Sequence, residues 1–208
     1  MKRMTSSKIR PGRGSMAQSN GLLIVLTTLF ISGVVIGALC VRTAESDILN
    51  KMLQMFQNYA QIRSQQTLFQ NFSNSFIAGI LGIILLYLLG LTVWGTPLVL
   101  CLPVFEGMGI GMACGTLYVD YGWAGFGYSA LIILPGTLIS TIALLLSARE
   151  SIRYSADIFL EHCLLRTPQH QPFKNYSIKF IILALFIAAA ATVDMLTIFA
   201  FSRWFPLA

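Results

Sequence analysis

Two carboxylates stand inside apolar stretches: Glu106 in "PVFEGMGIGMACG" and Asp194 in "AATVDMLTIFAF". A charge at the centre of a membrane helix costs on the order of 3 kcal/mol, so such a group normally faces protein or water. Three kinds of chemistry would use it: a proton or cation path, a polar lock between helices, or a contact with a partner's span. Glu106 has a milder reading as well. Pro97 and Pro103 predict that the regular helix starts late, which puts Glu106 in its first turn, where the helix dipole favours a carboxylate. Asp194 lies nearer the end of its stretch and within reach of hydrated headgroups. Structural roles are preferred to transport for both.

Four glycines follow Glu106, at 107, 109, 111 and 115. In a soluble protein they would suggest a phosphate loop, but "EGMGIGMACGT" lacks the G-K-[ST] ending that grips phosphate and magnesium. Both histidines, His162 and His170, fall in a polar segment, away from the apolar stretches. That removes an intramembrane Ser/His pair and most metalloprotease arrangements. "SARESIR" offers Glu150 between two arginines, with no second carboxylate and no intramembrane histidine to work with it. Cys40, Cys101, Cys114 and Cys163 form no C-x-x-C pair and read as small apolar fillers. His162 beside Cys163 is a weak metal hint. The expectation is a protein without catalytic residues, metal or cofactor.

The elements that must position these residues follow from composition. The chain has 208 residues, 56% hydrophobic and 11% charged, with a mean hydropathy of +0.73. A soluble domain of this size would carry far more charge. Apolar stretches at roughly 21–40, 75–94, 97–118, 128–147 and 177–201 are each long enough to cross a ~30 Å hydrocarbon core. The sequence therefore predicts an all-α, polytopic integral membrane protein with five transmembrane helices. Spans two and three form a tight hairpin at "WGTP", with Gly95 and Pro97 as turn residues, and Pro135 kinks the fourth span. The first span is too long for a signal-peptide core and lacks an A-x-A site, so it reads as a retained anchor.

Lysine and arginine set the orientation. Lys2, Arg3, Lys8, Arg10 and Arg13 precede the first span, and Arg149, Arg153, Arg166, Lys174 and Lys179 lie between the fourth and fifth. Placing the N-terminus inside and the C-terminus outside puts ten of the fourteen basic residues in the cytoplasm. This bias accounts for the net charge of +6 without nucleic acid. A flexible basic tail at 1–20 precedes a single membrane domain at 21–208, with an external segment at 41–74 and a cytoplasmic loop at 148–176.

Within the external segment, Ile48, Leu49, Met52, Leu53, Phe56, Tyr59 and Ile62 mark one face of a helix, with Ser46 or Thr43 as its cap. The helix either lies on the membrane and bundle or docks an extracytoplasmic partner through Met52, Phe56 and Tyr59. "DYGWAGFG" at 120–127 reads as an external turn, and Trp123, Trp204 and Phe205 fit an aromatic belt. In the cytoplasmic segment Ile152, Ala156, Phe159, Leu160, Cys163 and Leu164 form an apolar stripe.

In a lipid environment the glycines acquire a different meaning. Gly107, Gly111 and Gly115 recur every four residues, on one helix face, and such a stripe lets another helix approach closely. Gly79, Gly82 and Gly90 of the second span offer a matching surface. The seam is either internal or the interface of a homo-oligomer.

Residues 88–135, "LLGLTVWGTPLVLCLPVFEGMGIGMACGTLYVDYGWAGFGYSALIILP", and "FISGVVIGALCV" in the first span resemble the stage II sporulation protein M family. The resemblance covers about 21–201. It implies a non-enzymatic membrane scaffold for engulfment in endospore formation, located in the cell membrane and at the sporulation septum. Its implied partners are peptidoglycan hydrolases, one a glycan-strand lytic enzyme and one an amidase/endopeptidase. The family often reads Pro-His-Gly in the fourth span with a glutamate shortly after. Here Pro135 is followed by Gly136 and Thr137, with Ser140 where the carboxylate would stand. The competing reading is a small transporter or substrate-binding membrane subunit. A transporter calls for a polar cavity at mid-membrane, a scaffold for a dry bundle with exposed docking faces.

Overall fold

The computed structural model describes residues 13–92, 94–164 and 173–201. Six α-helices account for nearly all of them: α1 (Arg13–Thr43), α2 (Ser46–Gln65), α3 (Leu68–Gly90), α4 (Gly95–Tyr128), α5 (Leu134–Leu164) and α6 (Phe173–Phe201). A π-helical turn over Ser129–Ile133 joins α4 to α5. Five helices are long and apolar enough to cross a membrane: all but α2. Leu185, Ile181, Ile24 and Phe105 point outward from the bundle and are more than 60% exposed, as lipid-facing residues are.

Several boundaries differ from the sequence reading. Residues 13–20 are helical and belong to α1; the rest of the predicted flexible tail lies outside the described residues. Gly95 and Pro97 begin α4 instead of forming the turn. Proline fits there because the first helical N–H groups have no partner to lose. Glu106 is thus about three turns into α4, not in its first turn. The turn expected in "DYGWAGFG" is confined to Gly122, where two helical segments of α4 meet at a φ of 57° that only glycine adopts readily. The irregularity expected at Pro135 is the π turn before it, which leaves Pro135 in the first turn of α5. Glu45, not Ser46 or Thr43, occupies the cap position of α2 and makes no side-chain cap bond. Thr67 and Gln70 form a capping box that starts α3. Trp204, Phe205 and His170 lie outside the described residues.

Packing divides the bundle into two halves. At the end away from α2, Ile83, Leu86, Ala143, Ala148, Tyr176 and Phe180 belong to one buried cluster. Polar bonds fasten this half. Ser151 Oγ donates to Leu86 O at 2.6 Å, Ser155 Oγ to Thr92 O at 2.7 Å and Tyr176 OH to Tyr87 O at 3.0 Å. Most of these acceptors lie in or just beyond the last turn of α3, where carbonyls lack helical partners. The buried face of α5 here includes Ser147, Ser151 and Ser155 beside Ala148, Ile152 and Tyr154. Of the apolar stripe expected to pack, Ile152 is buried in the cluster and Phe159 is exposed, while Leu160, Cys163 and Leu164 fall where side chains are not described. Small hydroxyl residues bring α5 close to α3 and satisfy its carbonyls, which larger apolar ones cannot do. Glu150 is buried beside them. It accepts from Arg149 at 2.7 Å and Lys179 at 2.6 Å, with Arg153 at 3.8 Å.

Candidate functional site

Three groups of residues singled out in the sequence lie on or beside α4. The first is its glycine face. A Cβ placed on Gly107 would meet Phe30 O at 2.3 Å, and one on Gly111 would meet Val34 O at 2.2 Å. Gly115 faces Val41 and Ala38. The partner is therefore α1, which contributes glycines of its own: Gly33 against Val104 O and Gly37 against Met108 O, each at 2.3 Å from a built Cβ. Residue numbers rise together on both sides, so the two helices run parallel. Gly33, Gly37, Gly107 and Gly111 each direct a Cα hydrogen at a carbonyl of the other helix, a contact worth about 0.5–1 kcal/mol. The expected match with the second span does not occur. Gly79 faces Ile187, Gly82 faces Leu144, and Gly90 makes room for Tyr176 and Ser151. Periodicity identified the face but carried no information about which helix would cover it.

The second group is on the other side of α4. A cavity of about 1200 Å³ lies among α3, α4, α5 and α6, with α2 across one end. Glu106 lines it, exposed to the cavity, along with Met112, Ala113 and Thr116. Among the described residues Glu106 has no hydrogen-bond or ion-pair partner. Its wall is otherwise largely apolar: Ile132, Ile133, Leu144, Ile187 and Ala190.

The third group forms the mouth. Arg63 of α2 reaches Asp194 of α6, Nη2 to Oδ2 at 2.7 Å, with both side chains about 15% exposed. Ser75 Oγ donates to the same carboxylate oxygen at 2.5 Å, and Arg63 also bonds Ser75. The guanidinium lies over the Tyr59 ring, 5.2 Å from its centroid, a cation–π arrangement. Burial pushes the Tyr59 phenol above its ordinary range; Arg63 partly offsets this and Asp194 adds to it. Asn71 Nδ2 donates to Arg63 O at 2.9 Å, and Gln57 Nε2 to Tyr121 OH at 3.0 Å. These bonds tie α2 to α3, α4 and α6. Asp194 packs directly on Gly136, where a Cβ would come within 2.7 Å. Thr137 and Ser140, at the positions of the divergent fourth-span motif, also line the cavity.

Met52 and Tyr59, the expected docking residues, form part of this cavity wall; the Phe56 side chain lies outside the described residues. Sequence reasoning did not single out Arg63. Nor did it find the cluster around Glu150. Cys40, Cys101 and Cys114 are free thiols. No group of three His, Cys, Asp or Glu able to hold a metal ion occurs among the described residues.

A family model, stage II sporulation protein M, matches residues 26–200. The chain belongs to that family. The match includes every helix that bounds the cavity and both partners of the glycine seam. No curated protein and no solved structure matches the chain. Family membership makes this a sporulation-related membrane protein, and the family is not one of known enzymes.

Proposed function

We propose that the protein is a non-enzymatic membrane scaffold of a peptidoglycan-remodelling complex in endospore formation, anchoring cell-wall hydrolases during engulfment at the sporulation septum. The observation that carries this reading is the family match over residues 26–200. The architecture is compatible with it. Five apolar helices supply an anchor, and α2 is a sizeable helix outside the spans, fixed to the bundle by Arg63 and Gln57. A rigidly mounted helix at one face suits recruitment, since a partner then meets a pre-organised surface. The experiment is co-purification from sporulating cells. Hydrolases of both kinds, glycan-strand lytic and amidase/endopeptidase, are expected with the tagged protein. Replacing Phe56 and Tyr59 together with Ala lowers their recovery at unchanged membrane levels. Hydrolases absent from the wild-type eluate overturn the reading.

One observation favours the alternative of a small transporter or substrate-binding subunit. The bundle is not packed throughout, as a pure scaffold is expected to be, and the unpartnered Glu106 lies in the cavity. In reconstituted vesicles, a flux of protons or cations abolished by Glu106→Gln would decide for transport.

A further inference from the structure

We propose that the cavity holds one zwitterionic phospholipid drawn from the membrane leaflet on the α2 side. This goes beyond the scaffold reading and does not depend on which proteins are recruited.

The dimensions argue first. At about 1200 Å³, the space exceeds the ~300–1,000 Å³ typical of small-molecule sites. Its lining runs from Ile132 to Leu144 along α5 and from Ile187 to Ile198 along α6. At ~1.5 Å per residue each wall is roughly 17 Å tall, about half of a ~30 Å hydrocarbon core. One leaflet has that depth. A partner's spanning helix would need a groove of the full thickness, and here the other half is closed by the packed cluster around Leu86, Ala148 and Tyr176.

The distribution of polarity argues second. The lower wall, from Ile187, Leu144 and Gly82 up to Ile132 and Ala190, is apolar except for the single Glu106 carboxylate on α4. The charged pair sits only at the α2 end. Arg63 spends Nη2 on Asp194 and Ser75, and no bond from its Nε or Nη1 occurs among the described residues. A guanidinium has five N–H donors, so donors remain for a phosphate. Asp194 accepts both of its bonds at Oδ2, which leaves Oδ1 as an acceptor for an ammonium group. A cation and an anion side by side, each with spare capacity, complement a headgroup that carries phosphate and amine on a short linker. A singly anionic headgroup would satisfy only Arg63 and would meet the Asp194 charge.

The test is native mass spectrometry of the full chain released from nanodiscs containing equal phosphatidylethanolamine and phosphatidylglycerol. Wild type is expected to keep one phosphatidylethanolamine, favoured about tenfold over phosphatidylglycerol, the ratio one charge-assisted hydrogen bond supplies. Gly82→Leu should lower retention about tenfold by filling the slot. A Cβ there meets only Leu144 Cδ1, at 3.7 Å, so the helices need not move. Asp194→Asn should remove the headgroup preference. Wild type emerging bare, equal retention of the two lipids, or full retention by a folded Gly82→Leu variant would each overturn the proposal. Hydrolase co-purification is read separately, so either idea can fail alone.

Discussion

Replacing Gly111 with alanine tests the α1–α4 seam at its tightest point. The added methyl carbon would stand 2.2 Å from Val34 O and 2.9 Å from Val34 C. Ordinary carbon contacts begin near 3.4 Å, so the helices must separate locally by about 1 Å. No rotamer change can relieve this, because the obstacle is backbone on one side and a Cβ on the other. A gap of ~1 Å forfeits a quarter to a half of the dispersion energy of the contacts it opens. It also pulls the reciprocal approaches at Gly33, Gly37 and Gly107 out of range. Overpacking of this kind costs about 1–3 kcal/mol, and backbone-on-backbone contact puts the expectation at the upper end. Gly109→Ala is the matched control. It lies two residues away in the same helix with nothing within 4 Å of its Cβ, and should be neutral or slightly stabilising through helix propensity. The assay is thermal or denaturant unfolding in one detergent, with both variants measured against wild type. Gly111→Leu should be at least as damaging as Gly111→Ala. Equal stability of Gly109→Ala and Gly111→Ala would refute the reasoning, since only the seam distinguishes them.

Asp194→Ala should destabilise the protein by roughly 3 kcal/mol by leaving Arg63 without its partner. Adding Arg63→Ala should cost less than the sum of the two single changes, and a double-mutant cycle in detergent measures the difference. Gly136→Ala should weaken the same pair indirectly, because its methyl group would press on Asp194 Cβ at 2.7 Å; faster protease cleavage within α2 reports the loosened helix. Glu150→Gln should cost about 2 kcal/mol in a melting experiment. That is below the range for a fully buried pair because Arg149, Arg153 and Lys179 are 23–36% exposed.

The five spans were legible because hydropathy over about twenty residues depends on the solvent rather than on neighbours. The glycine face was legible for a similar local reason: a four-residue spacing fixes a side of a helix whatever lies opposite. What lies opposite is a property of the fold. Gly33 and Gly37 were visible in "FISGVVIGALCV" but are separated from Gly107 and Gly111 by α2 and α3. Arg63 and Asp194 are 131 positions apart, and neither has a neighbour in sequence that points to the other. The break expected in "DYGWAGFG" was legible because glycine supplies a backbone conformation that other residues resist, and here one residue, Gly122, takes the change of direction. Ser147, Ser151 and Ser155 were overlooked. Four-residue hydroxyl spacing looks polar and solvated until a second helix with unsatisfied carbonyls is known to lie beside it.

The two faces of α4 explain how so apolar a chain keeps both a close-packed half and a large cavity. Helices in lipid gain little from hiding hydrophobic surface, so association must come from close contact and from polar bonds that lipid cannot replace. The α1–α4 seam supplies the first kind, backbone against backbone, and leaves the opposite face of α4, where Ala113 and Thr116 stand beside Glu106 and Met112, to line the cavity. Helices facing small residues do not fill the space in front of them unless something draws them together. At the end away from α2, hydroxyls on α5, the Tyr176 hydroxyl and the Glu150 ion cluster draw α3, α5 and α6 into contact. At the α2 end the corresponding bonds include α2 itself, from Arg63 to Asp194 and Ser75. There too a short bond, Ser75 to Asp194 at 2.5 Å, joins α3 directly to α6, and Arg63 adds α2 to it. Close polar contacts therefore fasten both ends of the bundle, and the cavity lies between them against the face of α4 that carries Glu106.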